Sequence, residues 1–218
     1  MTKAEASTER RCRGRPQLRS DDETRRIIYD AARHEFAGNG YAATSTEMVA
    51  RRAGISTKTL YRLVPNKAAL FESMVSDRLD RLSLDITLSA ADDVDIETAL
   101  HAALMVCAEV SLDAEVVALQ RFVLQEANQF SDLATTFYRN GVTRLIAALA
   151  DWLRIQIRRG RLKLDDSDEA AGILIGMVAS APQRAAIYGG VRLPSRSQIE
   201  RRVRSCAALF LKGCGAAG

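Results

Sequence analysis

Apolar residues recur at every third or fourth position along most of the chain, which is the spacing of amphipathic helices. The first such stripe lies between Asp21 and Asn39 and comprises Ile27, Ile28, Ala31, Ala32 and Phe36, with Glu35 at the same spacing. No two runs of alternating apolar and polar residues are joined by a hairpin turn, so strands are not expected. The pattern therefore predicts an all-α fold.

Capping and breaking residues place the helices that follow. Asn39 and Gly40 end the first helix, Ser45 or Thr46 can cap a second one that runs to Ala53, and Ser56 caps a third. Pro65 ends the third helix, and a longer helix begins after it with Asn66 as its cap. A loop is predicted at 91–95, and further helices near 96–113, 115–128, 131–158, 167–188 and 196–212.

The second and third helices have the pattern of a helix-turn-helix. Ala50 supplies the small residue at the crossing, and Gly54 supplies a turn residue that tolerates a positive φ. The inward-facing apolar residues are Val49, Ala53, Ile55, Leu60 and Leu63. Helix pairs inside enzymes can imitate this spacing, so its function depends on what the outer face carries.

Hydrogen-bond donors dominate the outer face of the third helix. With Leu60 and Leu63 turned inward, the residues left outside are Thr57, Lys58, Thr59, Tyr61 and Arg62. An Arg fork matches N7 and O6 of guanine, whereas hydroxyls and Lys can bind phosphate oxygens. The set predicts contact with the major groove of double-stranded DNA, with Arg62 as the leading base reader. The alternative for each residue is a solvated surface.

The distribution of charge supports a nucleic-acid partner for the N-terminal third. Residues 1–70 hold 14 Lys and Arg and 8 Asp and Glu, which is a net charge of +6. The rest of the chain holds 17 basic and 19 acidic residues, which is a net charge of −2. Within the basic flexible arm at 1–19, Arg13 and Arg15 flank Gly14 in a core that resembles an AT-hook, which binds the minor groove. The other reading is an Arg-rich tail with only diffuse attraction to DNA.

Other classes of protein find little support. His34 and His101 have no neighbouring acidic residues in a catalytic pattern, so enzyme activity is not expected. The four cysteines lack the spacing of metal ligands or redox pairs, so no metal or cofactor is expected. The apolar run at 170–181 is short for a bilayer span, which predicts a buried helix and a cytoplasmic protein without membrane association. The remaining alternative is a helical scaffold or adaptor that binds no specific DNA.

Residues 24–75 resemble the DNA-binding domain of the TetR family of transcriptional regulators. The matching positions include Phe36, Gly40-Tyr41, Thr44 to Thr46, Val49-Ala50, Ala53 to Ser56, Thr59 to Tyr61, Pro65 to Lys67 and Leu70-Phe71. The resemblance implies that Tyr61 and Lys67 contact phosphates and that Thr46 caps its helix and touches the DNA backbone. It also implies that Thr57, Lys58, Thr59 and Arg62 contact bases or phosphates, and the capping residue Ser56 completes the predicted DNA-binding set. Family members often carry His or another polar residue at 62 and 63 and Phe at 64, so the base preference cannot be transferred.

The resemblance also implies the organisation of the whole chain. An arm at 1–19 precedes a helix-turn-helix domain at 20–66 and a helical effector-binding and dimerisation domain at 67–218. The implied function is a ligand-responsive repressor that binds a pseudo-palindromic operator as a homodimer formed by its last two helices. Candidate linings for the unknown small-molecule effector are Met105, Glu109, Phe122, Gln125 and Phe137, each of which could equally be ordinary core.

Overall fold

The structure, a computed structural model, describes residues 19–88, 94–128 and 131–214, with the side chains of 78–88 and of 214 outside the description. These residues form helices and no strands, as the periodicity predicts. The helices are α1 (Asp21–Ala43), α2 (Thr46–Arg52), α3 (Thr57–Leu63), α4 (Lys67–Leu88), α5 (Ile96–Ser111), α6 (Ala114–Glu126), α7 (Ser131–Phe137), α8 (Arg144–Arg158), α9 (Ser167–Ile175), α10 (Ala181–Tyr188) and α11 (Arg196–Cys214).

Helix α1 contains the break that Gly40 predicts, although helical turns continue beyond it. Gly40 has φ 79° and ψ 166°, a backbone conformation open essentially to glycine alone. The break turns Tyr41 back onto the core, where its ring centroid lies 5.4 Å from that of Phe36 and 5.9 Å from that of Phe71. This aromatic cluster joins α1 to α4.

Serine caps begin each of the first three helices. Ser20 forms a capping box with Glu23 at the start of α1, Ser45 accepts from the Met48 amide, and Ser56 accepts from the Thr59 amide. Gly54 adopts φ 66° in the turn between α2 and α3, which confirms the predicted turn. Because these three helices share a core of fully buried side chains, the orientation of α3 is set by packing on α1 and α2.

The C-terminal helices form a second layer of the same core. Helix α5 packs along α11 and α8 packs along α9, while α6 lies against α1. The fully buried side chains at the centre of this layer include Leu104, Leu149, Trp152 and Leu174. Two π-helical turns interrupt otherwise continuous helices, one over Tyr138–Thr143 between α7 and α8 and one over Gly176–Ser180 between α9 and α10. Periodicity alone does not predict them.

The helical stretch Ser167–Tyr188 is longer than the apolar run at 170–181. With 22 residues and a mean hydropathy of 1.3 in its most apolar window, it is the one helix among the described residues that length and composition allow to cross a membrane. Its buried residues, which include Ala171, Leu174 and Val178, face the protein core. A core helix of a helical domain passes the same test, so this helix is weak evidence for a membrane span.

Two of the four cysteines lie in the part of the chain whose side chains are described. Cys107 and Cys206 are both free and buried. Burial raises the pKa of the Cys107 thiol to about 12, so the reactive thiolate is scarce at neutral pH. These two residues therefore act as small apolar core residues.

Candidate nucleic-acid interface and ligand cavity

Helix α3 presents one polar face to solvent. Leu60 and Leu63 are buried, while the exposed residues of the helix are Thr57, Lys58, Tyr61 and Arg62. Thr59 is half-buried beside them. The seven-residue helix thus carries its donors on the side opposite its packing face, as a helix that enters a DNA groove requires.

Local hydrogen bonds hold the start of this face in place. The Ser56 hydroxyl accepts from the Thr59 amide at 3.1 Å and lies 2.8 Å from the Thr59 hydroxyl. Ser56 is exposed, so the capped end of the helix lies at the protein surface.

Tyr61 and Thr46 join α3 to α2 through their hydroxyl groups, which lie 2.7 Å apart. The Tyr61 hydroxyl also donates to Glu47 at 3.4 Å. The resemblance implies a cap at Thr46, but the N-cap of α2 is Ser45, because Ser45 is the last extended residue and accepts from the Met48 amide at 3.2 Å. Thr46 is instead buried, so its hydroxyl positions Tyr61.

Arg62, the leading candidate base reader, forms an ion pair within the protein. Its two terminal nitrogens donate to the two carboxylate oxygens of Asp21 at 2.8 Å each. This bond to Asp21 raises the pKa of Arg62 above its ordinary value. Nearby, Arg25 donates to the Leu63 carbonyl at 2.7 Å. The C-terminal end of α3 is therefore fastened to the start of α1.

Lys67 is directed toward the end of α1. Its ammonium donates to the carbonyls of Tyr41 at 2.6 Å and Thr44 at 2.9 Å, with a longer contact to Ala42 at 3.4 Å. It also lies 4.3 Å from the centroid of the Tyr41 ring. Burial lowers the pKa of Lys67. In the free protein this side chain stabilises the α1–α2 connection, and its contact with DNA phosphate stays a prediction.

A buried carboxylate joins α1 to α2. Glu35 accepts from Arg52 at 2.5 Å and from the Asn39 side chain at 2.7 Å, while its backbone carbonyl accepts from the Thr44 hydroxyl at 3.1 Å. Sequence reasoning places Glu35 on the inner stripe of the first helix but gives no partner, since Arg52 lies 17 residues away. The predicted arm contacts of Arg13 and Arg15 lie outside the described residues.

A cavity of about 290 Å³ lies mainly among the C-terminal helices, and α1 and α4 supply part of its wall. Its wall is mostly apolar and receives Met74 and Val75 from α4 and Arg33 from α1. Both π-helical turns contribute, through Gly141 and Val142 and through Gly176, Ala179 and Ser180. Because π-helical turns occur frequently at functional sites, their meeting at one cavity marks it as the candidate ligand site.

Among the five candidate effector residues, Phe137 lines this cavity and the other four do not. Met105 is buried among neighbouring helices, Glu109 is exposed with its carboxylate 3.5 Å from Arg196, and Gln125 is exposed. Phe122 packs instead on Gly40 and Tyr41. The face of α6 that lines the cavity carries Val116, Leu119 and Gln120, and helical spacing does not reveal which apolar face meets a cavity.

One charged pair on the cavity wall is not evident from the sequence. Arg33 of α1 and Glu115 of α6 both line the cavity, and the Arg33 Nε atom lies 3.5 Å from a Glu115 carboxylate oxygen. The contact is an ion pair without hydrogen-bond geometry, because Arg33 Nε is buried and makes no hydrogen bond. These residues are 82 positions apart in sequence, and only the packing of α6 on α1 brings them together.

A second concave surface runs between α10 and α11. Its lining includes Met177, Pro182, Ala185, Ile199 and Leu209. Leu209 is 63% exposed, which is high for a large apolar residue on a long helix. Other apolar residues of the last helices, such as Leu174 and Val203, are buried within the chain. The apolar surface left for a partner is therefore limited.

Known proteins resemble this chain over nearly its whole length. Residues 28–74 match the model of the bacterial regulatory proteins of the tetR family, and residues 98–215 match the C-terminal domain of the AefR-like transcriptional repressors. The crystal structure of a TetR-family transcriptional regulator from Mesorhizobium loti MAFF303099 has a TM-score of 0.77 and 27% identity, covering 91% of this chain and 100% of that one.

Two further relatives agree with these matches. The structure of the flavonoid-responsive regulator FrrA has a TM-score of 0.66 and 28% identity, covering 90% of this chain and all of its own. The HTH-type transcriptional regulator YvkB of Bacillus subtilis (strain 168) is 24% identical over 195 residues, which are 88% of this chain and 98% of YvkB. With both domains matched in order, the chain belongs to the TetR family of transcriptional regulators.

Proposed function

We propose that this regulator is a ligand-responsive repressor that binds a pseudo-palindromic operator as a homodimer in the cytoplasm. The observation that carries the proposal is the cavity whose wall is shared by both π-helical turns and by α1 and α4, the helices that connect to the DNA-binding layer. The family consists of transcription factors, not enzymes, which also favours this function over a scaffold or adaptor.

Operator recognition requires two copies of α3. A helix of seven residues is only about 10 Å long and reads few base pairs. A two-fold dimer presents two such helices to half-sites one duplex turn, or ~34–36 Å, apart. The concave surface between α10 and α11, with the exposed Leu209, is the candidate dimer contact, since family resemblance places the dimer at the last two helices.

The cavity can influence α3 through two helices. Met74 and Val75 lie on α4, which begins directly after the α3 helix and Pro65. Arg33 lies on α1, which also holds α2 through Glu35 and α3 through Asp21. An effector that shifts either helix would change the distance between the two recognition helices, and DNA would be released. Coupling of this kind is reciprocal, so operator DNA must weaken effector affinity by the same factor.

The effector we propose is a small, mostly apolar molecule. The cavity volume is close to the lower end of the ~300–1,000 Å³ that is usual for ligand sites. FrrA is described as flavonoid-responsive, and flavonoids are aromatic compounds with apolar ring faces. A flavonoid and phenol panel is therefore a suitable first screen for release of DNA.

The experiment that tests the proposal is selection of operator sites from random duplexes, followed by footprinting and effector screening. We expect sites with two related half-sites one helical turn apart, and calorimetry with an active effector should give a lower affinity when operator is bound. Recovery of asymmetric or single-stranded sites would contradict dimeric operator binding. Equal effector affinities with and without operator would reject the release mechanism.

A further inference from the structure

We propose that the effector is a neutral molecule with an apolar body and a hydroxyl group, and that this hydroxyl binds between Arg33 and Glu115. The inference rests on the proposed function, because it assigns a ligand class to the same cavity. Its basis is the polar chemistry of the wall, where Arg33 and Glu115 are the charged residues among the described ones that line it.

Arg33 is part of the cavity wall and carries an unused hydrogen-bond donor. Its side chain is only 14% exposed, and its buried Nε atom has no hydrogen-bond partner. Another of its nitrogens donates to Asp30, one turn earlier on α1. An unpaired buried donor costs free energy unless a ligand or water satisfies it. Because this atom has almost no accessible surface beside Glu115, a ligand acceptor reaches it when the two side chains separate.

Glu115 supplies an acceptor at the same position. One of its carboxylate oxygens lies 3.5 Å from Arg33 Nε, too poorly aligned for a direct hydrogen bond. A hydroxyl group is both a donor and an acceptor. It can accept from Arg33 and donate to Glu115 at once, which satisfies both groups.

The local charge opposes an acidic head group. The Arg33 cation is flanked by two carboxylates, Asp30 and Glu115, so the three side chains together carry −1. A ligand carboxylate would be repelled by this excess and would compete with Glu115 for the guanidinium. An amine would be attracted to Glu115 but could not accept from Arg33 Nε. A neutral hydroxyl avoids both costs.

The other polar side chains of the cavity wall are uncharged: Ser111, Gln120, Ser180 and Gln183. The Gln183 amide donates to the Ser111 carbonyl at 2.7 Å and so closes the end of α5. Most of the remaining lining is aliphatic or aromatic, including Leu119, Phe137 and Leu145. The ligand body is therefore apolar, with its polar group concentrated at Arg33 and Glu115.

Binding at this point would join the two layers of the protein directly. Arg33 belongs to α1, two residues before the Glu35 carboxylate that holds α2. Glu115 belongs to the first turn of α6 in the effector-binding layer. A hydroxyl held by both side chains replaces their direct pairing with a wider, ligand-filled contact, which changes how α6 packs on α1.

The test uses three probes with one apolar body: 4-phenylphenol, 4-methoxybiphenyl and biphenyl-4-carboxylate. Calorimetry on the full chain should give at least about tenfold tighter binding for the phenol than for the ether or the acid, because a site built for a hydroxyl rejects analogues that lack it. Equal affinities for the three probes, or no binding of the phenol, would overturn the proposal.

Substitutions of Arg33 and Glu115 test whether these two residues cause the preference for a hydroxyl group. Glu115→Ala should reduce phenol affinity to the level of the ether and increase carboxylate affinity severalfold, since Arg33 is then free to pair with an anion. Glu109→Ala is the matched control, because Glu109 is exposed on α5 and does not line the cavity. Arg33→Met should also remove the preference for phenol over ether, with Arg26→Met as its exposed control on α1. If Glu115→Ala behaves like Glu109→Ala, the assignment is wrong.

Parallel measurements of operator binding separate the two proposals. If the protein binds its operator and is released by a ligand without a hydroxyl group, the head-group inference fails and the repressor function stands. If no specific operator is found, the repressor function fails, while the probe affinities still decide the chemistry of the cavity.

Discussion

Arg62 and Asp21, 41 residues apart in sequence, face one another through two hydrogen bonds of 2.8 Å each. The residue best suited to read guanine is therefore held by a carboxylate in the free protein. The two terminal nitrogens of Arg62 that donate to Asp21 are the same two that would donate to the edge of a guanine base. If Arg62 reads a base, this ion pair must open, and Asp21 would then compete with the operator.

Arg62→Ala and Asp21→Asn should act in opposite directions on operator affinity. Loss of Arg62 should reduce discrimination at one base position in each half-site by about tenfold to a hundredfold. Asp21→Asn should release Arg62 and strengthen operator binding, whereas Asp22→Asn, next to it and exposed, should leave discrimination at that base position unchanged. Fluorescence anisotropy on the operator and its single-base variants, at one salt concentration, measures both. An unchanged sequence preference in Arg62→Ala would show that Arg62 does not read a base.

Lys67→Ala should reduce stability because it leaves carbonyls at the end of α1 without their donor. The expected loss in the free energy of unfolding is about 1–3 kcal/mol, measured by urea denaturation. Lys58→Ala is the control, since Lys58 is exposed on α3 and should leave stability unchanged.

The same Lys67 variant tests the phosphate contact that family resemblance implies. A phosphate-binding lysine should weaken binding to all sequences and reduce the log–log salt slope by about one. If the variant has normal stability and a reduced salt slope, Lys67 contacts DNA and does not stabilise the fold. If the variant is destabilised and its salt slope is unchanged, Lys67 stabilises the fold and does not contact DNA.

Gly40→Ala should destabilise the protein by about 1–3 kcal/mol. Gly40 has φ 79°, and an added Cβ would lie 3.2 Å from the Phe122 ring, which packs there from α6. Gly38→Ala provides the control, because Gly38 is helical with nothing within 4 Å of its Cβ position and should gain roughly 0.5–1 kcal/mol. Thermal or urea unfolding of both variants measures the difference. Equal stability changes would contradict the strain at Gly40.

Gly172→Leu should abolish the response to effector while operator binding persists. Gly172 lines the cavity, and a Cβ at that position meets nothing within 4 Å, so a larger side chain can enter the space a ligand would occupy. Gly172→Ala should retain at least part of the response because it removes much less volume. Effector-dependent release of labelled operator measures this effect. Normal release by Gly172→Leu would place the effector elsewhere.

Deletion of the arm at 1–19 should weaken DNA binding and reduce its salt dependence. The segment carries 6 basic and 2 acidic residues, so several phosphate-proximal charges are lost. If Arg13 and Arg15 enter a minor groove, the loss should be greatest on operators with A·T-rich flanks, where the groove is narrow and strongly negative. Full-length and deleted protein are compared on A·T and G·C flanks at one salt concentration. An equal loss of affinity on both kinds of flank would show that the arm is attracted to DNA only diffusely and does not enter the minor groove.

The helices and the helix-turn-helix could be predicted because their determinants are local. Ser56, Gly54 and Pro65 each act on neighbouring backbone, and the spacing of Leu60 and Leu63 fixes the outer face of α3. The five predicted helices after 95 begin within a residue of those in the structure, although periodicity does not reveal the π-helical turns inside two of them. A π-helical turn depends on packing around it as much as on its own sequence.

The partners of the site residues could not be predicted because they are distant in sequence. Helical spacing selects Phe122 and Gln125 as easily as Val116 and Leu119, and only the packing of α6 on α1 decides which pair meets the cavity. The pairing of Arg33 with Glu115 likewise depends on that packing. A sequence pattern gives the faces of a helix, but it does not give their neighbours.

Three glycines in the cavity wall allow the volume of the cavity to change in small steps during evolution. Gly141, Gly172 and Gly176 all line the cavity, and an added Cβ would meet no atom closer than 3.7 Å at any of them. Single substitutions there could reduce the space one methyl group at a time while the fold and the DNA-reading helix stay intact. A lineage carrying this scaffold could therefore exchange one inducing compound for a smaller one without passing through a nonfunctional repressor.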